Sequence, residues 1–274
     1  MDDLPNEIPT GHSSKGNQLK WKKDGFWYKA DHMGYEGLAE TAVSGILQFS
    51  SLKSAVFYEP ALIVYKNKQM TGCCSRDFLK RGEELITLEK LYRQYTGLSL
   101  AKMLGGLSDV KNRISFTVEQ IVNFTGLTEF GGYLTGMLEL DAFFLNEDRH
   151  TNNIAVIYDN EKKQFRLCPY FDMGLSMLSD LKGDFPLTMN TQDCLKKVKA
   201  KPFSADFDEQ LDAAEELFGT HLKFHISANS MAAAYRDMLP VWEGHYERLI
   251  QKRVEEILCL QSRKYSYMLQ NKTI

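Results

Sequence analysis

The run from Tyr133 to Leu145 constrains this chain more than any other. It is largely apolar, interrupted only by Thr135, Glu139 and Asp141. A segment that apolar on every side predicts a helix buried in a core, with no solvated face. It then runs directly into Asn146-Glu147-Asp148-Arg149-His150-Thr151-Asn152-Asn153. A buried helix that ends in eight mostly polar residues delivers those residues to the edge of a core. The chain has material for such a core, with 274 residues and 43% hydrophobic content. That length suits two lobes sharing one cleft better than two independent domains.

The flanking patterns fill in the rest. Gln18 to Lys22 and Phe26 to Ala30 read as short strands separated by Lys23-Asp24-Gly25, and an Asp-Gly step is a hairpin signal. Leu38, Ala42, Ile46 and Leu47 follow at helical spacing, with Glu36 and Glu40 in the first turns. A second hairpin is predicted at Ala61–Tyr65 and Met70–Cys74, turning at Lys66-Asn67-Lys68-Gln69. Leu88, Leu91, Tyr92 and Tyr95 predict a helix, as do Val118, Ile121, Val122 and Phe124. After the polar run, Ile154–Tyr158 and Gln164–Cys168 make a third hairpin around Asp159-Asn160. The last third is helical, with one stripe from Phe207 to Phe218 stopped by Gly219, and another from Tyr246 to Leu258. The expected fold class is α+β, with a small β-rich N-lobe at 1–80 and a larger helical C-lobe at 81–274.

Composition excludes several roles. The net charge of -3 gives no general attraction to nucleic acid or an acidic membrane. Five cysteines (Cys73, Cys74, Cys168, Cys194 and Cys259) lack the separated pairs of a structural zinc site and predict free thiols in a reducing compartment. The acidic start MDDLPNEIPT is no signal peptide, and no stretch reaches membrane-spanning length. A cytoplasmic protein is expected, without direct nucleic-acid or membrane partners.

The polar run carries the chemistry. Asp148 and Asn153 stand five apart, and Phe171-Asp172-Met173-Gly174 follows the third hairpin. In protein kinases a base Asp precedes a metal-holding Asn by five residues, and a second metal-holding Asp comes later in an Asp-Phe-Gly step. An Asp and an Asn at that spacing would occur about once by chance in such a chain. The buried helix before them, His150 between them and Phe-Asp-x-Gly after them give the spacing its force. A polar turn capped by Asp148, with His150 packed against it, would explain the loop alone but not its surroundings. The order here is Asp148-Arg149-His150 where the kinase template reads His-Arg-Asp, so His150 cannot take the template histidine's role.

The run Asn-x-Asp-Arg-His-x-x-Asn resembles the catalytic loop of HipA-like serine/threonine kinases, and its Asp-Arg-His-x-x-Asn core is similar to that of phosphatidylinositol kinases. The resemblance covers most of the chain, from about residue 10 to the last helix. It implies a two-lobed protein-kinase-like fold, Asp148 as the base for an acceptor hydroxyl, and His150 as a structural or phosphate-proximal member of the loop. It further implies that Asn153 and Asp172 hold Mg²⁺ and that ATP is the donor. Ser14-Lys15-Gly16-Asn17-Gln18-Leu19-Lys20 resembles the family's nucleotide loop, making Lys15, Gly16 and Gln18 candidate nucleotide contacts. Lys29 would be the phosphate-contacting lysine of the N-lobe, with Glu40 as its first-choice partner and Glu36 as the second. The adenine-contacting hinge is expected near Met70–Phe78. Ser13 and Ser14 match only loosely the neighbourhood in which this family autophosphorylates.

The implied activity is phosphorylation of a Ser or Thr hydroxyl on a protein. The alternatives are a lipid or small-molecule kinase and a weakly active nucleotide-dependent binding module. Full-length HipA proteins carry an extra N-terminal subdomain, which a short partner would supply here unless the subfamily does without it. The resemblance also raises a toxin–antitoxin setting with an antitoxin partner. The basic run Leu195-Lys196-Lys197-Val198-Lys199-Ala200-Lys201-Pro202 reads first as a solvated face. Its functional alternative is holding an acidic or phosphorylated substrate.

Overall fold

The structure, a computed structural model, describes residues 18–236 and 245–270. They form two compact units. One draws on residues up to Asp77, on Asp172–Val198 and on Lys223 onward; the other consists of Phe78–Phe171 and Lys199–Leu222.

The first unit is built on an antiparallel sheet of order β1-β2-β4-β3, with β1 at Lys20–Lys23, β2 at Phe26–Ala30, β3 at Tyr58–Tyr65 and β4 at Lys68–Arg76. Asp24 and Gly25 both have positive φ, as do Lys66 and Asn67. Two consecutive left-handed residues are what a two-residue hairpin turn of the twist-matched kind requires. The second hairpin is tighter than the sequence suggested, because Tyr65 pairs directly with Lys68. The sheet's first strand begins at Lys20, two residues later than the alternation implied.

Helix α1, Glu36–Leu47, packs on β2, β3 and β4 and is buried along its whole length. It lies close to the sheet because a Cβ on Gly37 would fall 2.5 Å from the Gly72 carbonyl carbon, so only glycine fits there. Helices α6 (Thr191–Leu195), α8 (Ala228–Arg236) and α9 (His245–Lys264) complete this unit. Buried Arg253 of α9 binds the carbonyls of Phe185, Pro186 and Met189, fixing the segment that follows Asp172.

The second unit contains α2 (Leu88–Thr96), α3 (Leu100–Gly105), α4 (Val110–Thr125), α5 (Phe130–Phe144) and α7 (Phe207–Phe218), with a sheet β5-β6-β7. Its centre is α5, the apolar run of the sequence. Leu134, Met137, Leu138, Leu140, Phe143 and Phe144 have no exposed surface. Each such side chain contributes about 1.5–3 kcal/mol through burial, so α5 anchors the loop it feeds. The predicted third hairpin is β6 (Ala155–Asp159) and β7 (Gln164–Leu167). The third strand of that sheet, β5 (Glu83–Thr87), was not foreseen; it pairs with β6 and leads straight into α2. All five cysteines are free thiols. No helix among the described residues is long and apolar enough to cross a membrane.

Candidate active site

The residues singled out in the sequence divide between the two units. In the first, Lys29 lies on β2, opposite Lys20 of β1 and Cys73 of β4. Side chains directly opposite in a ladder share a face, so Lys20 and Lys29 are two like charges side by side. Carboxylates resolve the conflict. Lys29 Nζ donates to Glu40 Oε1 at 2.5 Å and to Asp172 Oδ1 at 2.7 Å, and Lys20 Nζ stands 3.8 Å from the same Asp172 oxygen. The Lys29 ammonium also sits 5.0 Å from the centre of the Tyr58 ring. Burial alone would push the Lys29 pKa down, but Asp172 and then Glu40 hold it well above the usual lysine value. The lysine is therefore a fixed cation.

Glu40 uses both oxygens, because its Oε2 accepts the Met173 N–H at 2.9 Å. One carboxylate on α1 thus ties the strand lysine to the residue after Asp172. Glu36, the other candidate partner of Lys29, is spent elsewhere: it accepts the backbone N–H groups of His32, Met33 and Gly34. Asp172 has φ +61, a left-handed conformation uncommon for a residue with a side chain. Such a conformation costs on the order of 1–3 kcal/mol and persists only where the surroundings hold it. Here Lys29 grips the side chain and Glu40 the next amide. Gln18 is half-buried, two residues before β1; Lys15, Gly16, Ser13 and Ser14 lie outside the described residues.

In the second unit, Leu145 closes α5 in a left-handed conformation and turns the chain into the polar loop. The loop is held from beneath. Arg149 Nε and Nη2 donate to the Asp141 carboxylate at 2.9–3.2 Å, and Asn146 Nδ2 reaches the same group at 2.8 Å. Arg149 Nη1 donates to the carbonyls of Asn153 at 2.8 Å and Phe171 at 3.1 Å. Arg149 is 1% exposed, so this guanidinium is a strut. Thr151 donates to Glu89 of α2, pinning the loop at a second point.

On that scaffold Asp148 is 7% exposed and Asn153 is half-buried. Asn153 Nδ2 donates to the Asp148 carbonyl at 2.8 Å and lies 3.4 Å from its Oδ2, which leaves the amide oxygen of Asn153 outside these bonds. His150 Nδ1 accepts the Asn152 N–H, so a neutral ring carries its proton on Nε2, 3.9 Å from Asp148 Oδ2. Lys201 Nζ is 3.5 Å from the other carboxylate oxygen. The roles of Asp141, Glu89 and Lys201 were missed in the sequence. A carboxylate inside a buried helix signals a partner, and the only arginine of the adjoining loop stands eight residues on.

An antiparallel sheet near the N-terminus and a larger helical part make this a mixed α+β, kinase-like fold. The chain is similar to the crystal structure of a Helicobacter pylori proinflammatory kinase, CtkA, with a TM-score of 0.61 at 15% sequence identity, over 95% of this chain and 92% of that one. At that identity the likeness is one of fold. No family model matches the sequence, and no curated protein matches it.

Proposed function

We propose that this chain is an ATP- and Mg²⁺-dependent phosphotransferase, and more finely a HipA-like kinase acting on Ser or Thr hydroxyls of proteins. The observation that carries the reading is the Lys29–Glu40–Asp172 cluster, a fixed cation and a half-buried carboxylate held in a strained backbone. Lys20 and Lys29 against Glu40 and Asp172 sum to zero charge, so the cluster as it stands attracts no phosphate. With Asp172 engaged by a cation, both lysines become available to phosphate oxygens.

The donor set fits Mg²⁺, which binds through one or two protein oxygens together with nucleotide phosphates. The Asn153 amide oxygen and the Asp172 carboxylate are such ligands. Among the described residues no three His, Cys, Asp or Glu side chains group into a metal cage. Mg²⁺ held by such oxygens would neutralise charge on the nucleotide phosphates.

The chain's own residues do the rest. Asp148 orients the acceptor hydroxyl and takes its proton. The hydroxyl oxygen forms a bond to the γ-phosphorus while the bond to the leaving diphosphate oxygen breaks, releasing ADP. Arg149 acts through Asp141 to keep Asp148 at its position. The lobes 1–80 and 81–274, a cytoplasmic setting and a separate subdomain or antitoxin partner belong to the same reading. Transfer of labelled γ-phosphate to self or generic protein tests it, with Asp148→Ala as the control. Transfer that does not depend on Asp148, or no transfer to any acceptor, would favour the binding module. Mass spectrometry of the same samples reads Ser13 and Ser14.

A further inference from the structure

Beside the polar loop, within the second unit, lies a cavity of about 310 Å³ lined by Leu104, Arg113, His150, Thr151, Lys201 and Pro202, among others. That size is at the lower end for ligand sites and suits a side chain or two better than an extended cofactor. Its wall combines apolar groups (Leu104 and Pro202) with cations. Arg113 is already committed: its guanidinium donates to the carbonyls of Leu107 and Phe203. Lys201 is different. Among the described residues its ammonium pairs with Asp148 Oδ1 at 3.5 Å, and its side chain is 40% exposed. The basic run thereby resolves into separate roles. Lys196 pairs with Asp193, and the Lys199 backbone N–H binds Glu147, so neither of those contacts faces the cavity wall. Of the lysines of the run, Lys201 is the one that lines the cavity.

We propose that this cavity receives the acceptor side chain, and that Lys201 selects a Ser or Thr flanked by a carboxylate. The proposal rests on the phosphotransferase reading, since it makes Asp148 the base for the hydroxyl that enters. A single ammonium that contacts the base can bridge to one more anion, and a neighbouring Glu or Asp on a peptide supplies one. A head group carrying several phosphates would need several uncommitted cations, whereas Arg113 is tied to backbone carbonyls. The apolar wall takes the methylene part of the flanking side chain. A charge-assisted hydrogen bond in a half-buried pocket gives roughly tenfold discrimination.

The test uses the full chain, Mg-ATP and Ser peptides that differ at one flanking position, carrying Glu, Gln or Lys there. The readout is the ratio of kcat/KM for Glu over Gln at each position. The wild type is expected to prefer Glu about tenfold at one flank. Lys201→Ala brings the ratio near one, Lys201→Arg keeps it, and Lys201→Glu reverses it in favour of Lys. The reversal is a gain that misfolding cannot imitate. Transfer with no flank preference, a preference that survives Lys201→Glu, or faster transfer to phosphatidylinositol phosphate in vesicles than to any peptide overturns the proposal. Absence of Asp148-dependent transfer to every acceptor overturns it together with the reading beneath it.

Discussion

The two units each bury an arginine or lysine against carboxylates, and the two clusters are built for opposite ends. Around Arg149 everything is closed: the guanidinium is 1% exposed, its Asp141 partner not at all, and the remaining donors end on backbone carbonyls. Around Lys29 the cluster stays open on one side, because Asp172 keeps 23% of its side chain accessible and sits in a left-handed backbone. A closed pair fixes geometry. An open, strained one keeps a carboxylate accessible.

The contrast can be broken most forcefully at the closed end. Arg149→Met leaves Asp141 buried without its cation, and should cost about 3–5 kcal/mol of stability, visible as a large fall in Tm. Adding Asp141→Leu should recover part of that loss, since removing both charges is far cheaper than removing one. If Arg149→Met is as stable as the wild type, the strut is not a strut.

At the open end the balance shifts from stability to activity. Lys29→Met should destabilise by about 3 kcal/mol, because Glu40, 2% exposed, loses its cation while Asp172 retains water on one side. Phosphoryl transfer should fall on the order of 10²-fold or more, the scale seen when a fixed charge-stabilising group is removed. Equal activity in Lys29→Met would place the cluster outside the chemistry.

A pH effect sharpens the comparison from a third buried carboxylate. Glu139 of α5 accepts the N–H groups of His221 and Leu222, and no cation is among these partners. Burial pushes its carboxyl up to about 8, with Glu215 adding to the shift and the two N–H groups opposing it. The folded state therefore holds a proton that the unfolded chain, titrating near 4.5, has released. Stability from this group is fully present below about 4.5 and lost as pH rises through about 8. Tm should drift downward over that window, and Glu139→Gln should flatten the drift.

Legibility followed the range of the interactions. The hairpins at Asp24-Gly25 and Lys66-Asn67 and the buried helix α5 could be read because their signals are local. Strand β5 could not, since Glu83–Thr87 is a strand only by virtue of pairing with β6, some seventy residues away. The types of residue in the site were legible from spacing and resemblance. Glu40, the first choice from the sequence, is the contact of Lys29, whereas the diversion of Glu36 to three backbone amides needed the fold. So did Lys201, which meets Asp148 across 53 residues. The other lysines of the basic run carry the same charge and do not line that cavity.

The central claim is that Asp148 serves transfer from ATP while the Arg149 strut beneath it serves only its position. Single-turnover transfer of γ-labelled phosphate, with Tm measured on the same samples, tests this directly. For Asp148→Ala the account predicts near-wild-type Tm and transfer reduced by at least 10²-fold, the scale for loss of a general base. Undiminished transfer in a folded Asp148→Ala variant would contradict it.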